Sequence, residues 1–494
     1  MQIKHITLTA AICCTLLFAC KKDNNNFKYK ELNELNIKGP EGVLTVVQRD
    51  MLRIAPVISE SKSGSGPYIY KWEIYKPEDL ASWEITPLNP ANTSTTLSTK
   101  KDLEVEALQA PGNYIIQYTI TDTKTNLRQS VRFPVTVNGK YYEGWMVMSE
   151  KAGKPLLSFV RKDETVFPDV IKSSNPDLVI NGKPLAAFAG IQTSLQEVSV
   201  FTDQDMYRFS ANDFAFKDKS ADLFETPISP VSSPYYAVNS IDFDQYVVSN
   251  GSVYGSVTPA MGAARYSERF NGPADYSVFP YFMSGSYAWA LFYDNNGKRF
   301  LQAGYNSRVF TTFASSTDPK VPFQMNDVGK TMVGGDKGGS NECFLVMKDN
   351  AAYYMYTILP DKSQMAGVTH EMIAAPDIAL AKSFAASELN RHLYYAAGNK
   401  IYLYDILAES ARVVYTFPAN TRIKDLKMFK WQGWGPSTDP LYNKRMVVAT
   451  YNGTEGELYY LDVLPIGDIA NGTYTKKFGG FGDITQISYR HPNM

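Results

Sequence analysis

The chain is predicted to be all-β, an immunoglobulin-like β-sandwich followed by a seven-bladed β-propeller, on three observations. Its 33 Tyr and 26 Phe, with few long amphipathic runs, favour pleated, half-buried surfaces over helices. Alternating apolar and polar residues between turn signals mark short strands in the first 138 positions. Beyond them one hairpin pattern recurs with a period near fifty.

The amino-terminal segment comes first in order. Lys4 is its only formal positive charge, an apolar run extends from Ile6 to Phe18, and Leu17-Phe18-Ala19-Cys20 places a small residue before a cysteine. This is the form of a lipoprotein signal, with cleavage leaving Cys20 as the acylated first residue. A spanning helix needs about twenty apolar residues, and this run stops at Lys21-Lys22-Asp23. Residues 1–19 are therefore expected to be removed, and residues 20–30 to form a flexible tether, since Lys21 to Asn26 hold nothing to bury.

The remaining 475 residues carry 48 basic and 50 acidic side chains, a net charge of −2. Nucleic-acid binders draw most of their nonspecific affinity from a basic excess, so nucleic acid is not an expected partner. Cysteine usage excludes an internal disulfide: Cys13 and Cys14 leave with the signal, Cys20 is taken by lipid and Cys343 has no partner. Stability must come from cores, and a chain of this length is expected to have more than one.

Residues 31–138 form the first expected domain. Tyr68, Tyr70, Trp72 and Ile74 alternate on one strand face, with Trp72 as the buried centre. Ala110-Pro111-Gly112-Asn113 turns into an alternating strand through Ile120, and Val131, Phe133, Val135 and Val137 make a final one. Short alternating strands within about 100 residues predict an immunoglobulin-like sandwich. Tyr70-x-Trp72-x-Ile74, Pro111-Gly112-x-Tyr114 and Thr119-x-Thr121-Asp122 together resemble a PKD domain. The module departs from that family where Tyr75-Lys76-Pro77 replaces the usual Gly-Asp-Gly. The resemblance implies a spacer or adhesive module.

Residues 140–494 form the second. Seven hairpins have first strands centred at positions 147, 199, 247, 291, 345, 394 and 447, with steps of 52, 48, 44, 54, 49 and 53. Each is expected to be the central pair of a four-stranded blade, with Asn-Gly-type turns supplying positive φ. Val238–Phe243 and Ile423–Phe429 read as entry strands, and Ile484–Tyr489 as a strand that completes the last blade or closes the ring.

Chemistry-bearing motifs are sparse. His370, His392 and His491 lack the spacing of a zinc site, and no metal or other cofactor is expected. Gly329-Lys330-Thr331 resembles the end of a phosphate loop, but Gln324 stands where its leading glycine belongs. The glycines of Gly334-Gly335-Asp336-Lys337-Gly338-Gly339 read as a loop between blades, and Asp203, Asp205, Asp294 and Asn296 as turn stabilisers. No serine elbow occurs, so no catalytic residue is assigned. Lys430-Trp431-Gln432-Gly433-Trp434-Gly435-Pro436, continuing to Tyr442, puts two indoles among loop formers. Trp431, Trp434 and Tyr442 are the candidate ligand-binding residues, stacking on sugar rings or peptide side chains; packing between blades is the other role open to the two indoles. Tyr235-Tyr236 and Phe279-Pro280-Tyr281-Phe282 are weaker candidates of the same kind.

A lipid-attached tether, a PKD-like module and a propeller together resemble the PKD-like family lipoproteins of Bacteroidota. The resemblance implies attachment to the outer membrane through Cys20, on the cell surface where Lys21-Lys22-Asp23 serves as a partial export signal. It further implies an accessory of SusCD-type TonB-dependent importers, binding an oligosaccharide or peptide without catalysis. The alternative is a propeller glycoside hydrolase or lyase, whose paired carboxylates converge from different blades.

Overall fold

A computed structural model describes residues 34–61, 66–77, 94–190, 197–239, 244–256, 265–431, 437 and 439–491. The chain is all-β and divides into two compact units, one ending at Val137 and the other beginning at Asn138. Cys20 and Trp434 lie outside the described residues.

In the first unit a five-stranded antiparallel sheet has the order Leu44–Val47, Arg128–Asn138, Gly112–Asp122, Tyr68–Tyr75, Thr95–Ser98. Met51–Ile54 pairs with Leu103–Glu106, and Leu35–Lys38 with Val57–Glu60. Leu52, Ile54 and Leu103 from the small sheet share a core with Trp72, Ile116, Ile120 and Val135 from the large one. That interleaving is what makes two sheets a sandwich. Trp72 has no exposed surface; it stacks on Tyr118 with ring centroids 4.1 Å apart, and its indole N–H donates to the Lys100 carbonyl at 2.9 Å. The bond satisfies the one polar atom that burying a Trp would otherwise strand.

The second unit is propeller-like: its described residues form seven antiparallel sheets of three or four strands. Each of the seven hairpins read from the sequence is a pair of adjacent strands, as in Gly144–Lys151 with Lys154–Arg161 and His392–Ala397 with Lys400–Asp405. The turn at Asn250 (φ 50°) and Gly251 (φ 70°) shows why these residues sit there: both central positions are left-handed, as a two-residue hairpin requires. Of the two entry strands expected, Arg422–Met428 fills that role; the other spans Tyr235–Val238, with residues 240–243 outside the described set.

The strand Asp483–Arg490 pairs antiparallel with Gly144–Lys151, opposing Trp145 to Tyr489 and Val147 to Ile487. Neighbouring sheets are joined through their leading strands. Ser488 Oγ donates to the Ala187 carbonyl at 2.6 Å, and the rings of Phe188, Tyr235 and Tyr281 follow one another at 5.6 and 6.2 Å. Tyr281 shares a core with Met332 and Cys343, Asp336 accepts from the Ala386 amide at 2.8 Å, and Ser383 Oγ donates to Asp425 at 2.6 Å. Asp425 in turn accepts from the Ile487 amide at 3.0 Å.

The glycine cluster is not the loop the sequence predicts at its start: Thr331–Lys337 is a strand, so Gly334, Gly335 and Asp336 lie within a sheet. A Cβ on Gly334 would overlap the Phe384 ring of the next sheet, and one on Gly335 would press on the Phe344 carbonyl. These glycines are there for close packing between sheets.

Candidate functional site

Met428 ends its strand, and the backbone N–H of Phe429 donates to the Arg445 carbonyl at 2.8 Å as the last rung before the chain leaves the sheet. It returns through a compact turn. The Asp439 N–H donates to Ser437 Oγ at 3.1 Å, and Asp439 Oδ1 accepts from the Leu441 N–H at 2.9 Å. A carboxylate that bonds the backbone two residues on is the local geometry that makes Asp a turn former.

A cleft of about 450 Å³ opens beside this turn, lined by Glu143, Lys162, Trp431, Ser437, Asp439, Pro440 and Leu441. Lys162 Nζ lies 3.1 Å from Glu143 Oε1 and 2.9 Å from Asp439 Oδ2. Glu143 Oε1 also accepts from the Tyr489 hydroxyl at 2.7 Å. Burial works against the Lys162 charge, but Asp439 and Glu143 outweigh it and hold the ammonium above its ordinary value. Burial likewise raises the Asp439 carboxyl, and the Leu441 N–H and Lys162 more than compensate, leaving it below the usual carboxylate range. The group is therefore a settled ion triad.

Aromatic rings back the cleft. Tyr489 meets Trp145 at 5.0 Å, Phe429 at 4.8 Å and His491 at 4.9 Å, each at a steep angle, and His491 meets Trp431 edge-on at 5.7 Å. Such tilted contacts suit the ring quadrupoles and fix the rings' orientation. His491 is buried, and burial, with Arg490 and Lys162 adding repulsion, lowers its imidazole to about 4. Arg490, 1% exposed, donates to the Tyr142 and His491 carbonyls and to Asn212 Oδ1 at 3.3 Å, anchoring the strand that carries this stack.

Of the three candidate ligand residues, Trp431 lines the cleft and Trp434 lies outside the described residues. Tyr442 does not line it: its hydroxyl donates to Glu388, which also accepts from Asn443 Nδ2 at 2.8 Å. Lys162 and Glu143 carried no local signal; they reach the cleft only because the strands Gly144–Lys151 and Asp483–Arg490 pair. The weaker candidates are packing residues. Tyr236 bonds Gln245, Tyr281 is buried, and Phe282 stacks on Tyr246 at 5.2 Å.

The other polar residues singled out from the sequence act locally. Asp294 Oδ1 accepts from the Ser277 and Asn296 amides, and Asp203 Oδ1 from Lys183. His370 bonds the Tyr404 hydroxyl at 2.8 Å and His392 lies 3.8 Å from Asp405; burial lowers both imidazoles. No group of three or more His, Cys, Asp or Glu side chains able to hold a metal ion occurs among the described residues. No helix there is long and apolar enough to cross a membrane.

Residues 20–184 match the PKD-like family. No curated protein sequence matches the chain. Among solved structures, a quinonprotein alcohol dehydrogenase-like protein from Bacteroides thetaiotaomicron is similar with a TM-score of 0.41 and 11% identity, over 91% of this chain and 96% of that one. The extracellular domain of a one-component system from the same organism also scores 0.41, at 9% identity over 79% of this chain and 53% of that one. A protein from Lactobacillus plantarum scores 0.32, at 10% identity over 68% and 82% of the two chains.

Proposed function

We propose that this is a noncatalytic lipoprotein of the bacterial outer membrane, held at the cell surface through Cys20. In this reading a closed seven-bladed ring presents the Trp431 cleft to a nutrient oligosaccharide or peptide, as an accessory of a SusCD-type importer. The ring reading draws support from the seven sheets and from the pairing of Gly144–Lys151 with Asp483–Arg490. Attachment draws on the sequence Leu17-Phe18-Ala19-Cys20, and more than one acyl chain on that sulfur gives stable anchoring.

The observation that carries the binding role is the cleft itself, where an indole adjoins an ion triad already satisfied from within. A glycosidase needs one carboxylic acid kept protonated beside a second carboxylate. Asp439 is held in the opposite state, ionised against Lys162. The cleft is thus suited to holding a ligand rather than protonating one.

The experiment is affinity capture of the epitope-tagged native protein from cross-linked outer membranes, alongside metabolic labelling with an alkyne fatty acid. Co-capture of an importer pair, and lipid labelling that Cys20→Ala abolishes, are the expected results. Turnover of surface glycans by the purified protein, or labelling that persists in Cys20→Ala, overturns the reading.

A further inference from the structure

We infer that the cleft beside Trp431 receives a ring of a neutral saccharide; this rests on the binding-protein reading above and names its ligand class. Charge comes first. Lys162 lies between Glu143 and Asp439 at 3.1 and 2.9 Å, so an anion approaching the ammonium meets two carboxylates, and a cation approaching either carboxylate meets the ammonium. A ligand with no charge of its own avoids both penalties. Hydroxyl groups both donate and accept, so a polyol rim can bond carboxylate oxygens and an ammonium at once.

Shape and surface agree. Trp431, Pro440 and Leu441 face the same space as the triad, giving an apolar wall beside a polar edge. A sugar ring carries the complementary pair of surfaces, C–H bonds on its face and hydroxyls on its rim. The volume falls within the range of about 300 to 1,000 Å³ usual for small-ligand sites. The wall is also fixed in advance: His491 abuts Trp431, and Tyr489 holds both His491 and Glu143, so little ordering remains for binding to impose.

An extended peptide is the weaker fit. Peptides in grooves commonly add to an open strand edge. Gly144–Lys151, the strand beside Glu143, is bonded on both sides, by Lys154–Arg161 and by Asp483–Arg490.

The test is calorimetric titration of the full-length protein in a detergent without a sugar headgroup. Probes are maltohexaose, cellohexaose, xylohexaose and mannohexaose, with hexagalacturonate and hexa-alanine as contrasts. We expect at least one neutral hexasaccharide to bind, with affinity unchanged between about 0.05 and 0.5 M salt because no ligand charge is screened. Trp431→Ala and Lys162→Met each weaken it at least about tenfold, a loss of ~1.4 kcal/mol, while Trp431→Phe retains most of it and circular dichroism shows all variants folded. Binding confined to hexagalacturonate or hexa-alanine, indifference to Trp431→Ala, or silence from all four neutral probes overturns the saccharide assignment. Continued capture of an importer in any of those cases leaves the accessory reading standing, so the two failures are told apart.

Discussion

The backbone N–H of Ile487 donates to Asp425 Oδ2 at 3.0 Å, while the other oxygen of that carboxylate takes the Ser383 hydroxyl at 2.6 Å. One nearly buried side chain thus joins the leading strands of three sheets, Ser383–Ala386, Arg422–Met428 and Asp483–Arg490. Asp425→Ala leaves the Ile487 amide and the Ser383 hydroxyl without their acceptor. Stranding buried donors of a charge-assisted network costs about 3 kcal/mol. Urea denaturation should show the loss, and a change under ~0.5 kcal/mol would contradict the bridging role.

Gly334 and Phe384 form a second link between sheets, in which the absence of a side chain is the functional feature. Gly334→Ala forces the ring aside and should destabilise by about 1 to 3 kcal/mol. If steric crowding is the cause, Phe384→Leu in the same chain recovers part of the loss. A double-mutant cycle measured by thermal melting checks this, and strict additivity would sink the explanation.

His491 predicts a pH dependence with a defined sign. Its imidazole takes up a proton near its ordinary 6.5 when unfolded but only at about 4 in the folded chain. The contribution is complete above pH 6.5 and is lost as pH falls from there towards 4, by up to about 3 kcal/mol. Asp163, lowered to about 2 chiefly by Arg161, weakens the fold only at still lower pH, so the two ranges separate. Melting temperatures between pH 7.5 and 4.5 should fall in the wild-type chain and flatten in His491→Gln.

Cys343 is buried, and burial pushes its thiol up to about 12. The nucleophile is the thiolate, so at pH 8 it should resist alkylation for as long as the fold holds. Iodoacetamide labelling with peptide mapping gives the readout. Modification of Cys343 is expected in urea and not in native buffer.

The seven hairpins were legible because local rules make them: alternation, aromatic content and turn pairs such as Asn250-Gly251 operate within ten residues. Trp72 was legible for the same reason, as the apolar centre of an alternating strand. The glycines at 334 and 335 were misread because their reason lies on Phe384 and Phe344, rings supplied by other strands. The cleft was half legible. Trp431 stood out as an indole among loop formers, yet Tyr442, close by in sequence, is drawn off by Glu388. Lys162 and Glu143 are ordinary charges until long-range pairing brings them opposite Asp439.

The lateral partner of Gly144–Lys151 is encoded by the final strand described, Asp483–Arg490. During synthesis the earlier strand leaves the ribosome with one row of backbone amides and carbonyls uncovered, and keeps it so until translation has nearly finished. A nonsense codon anywhere in the last sixth of the message would therefore damage the beginning of this domain as well as its end, and a nascent-chain chaperone has an interval in which that row is its natural target.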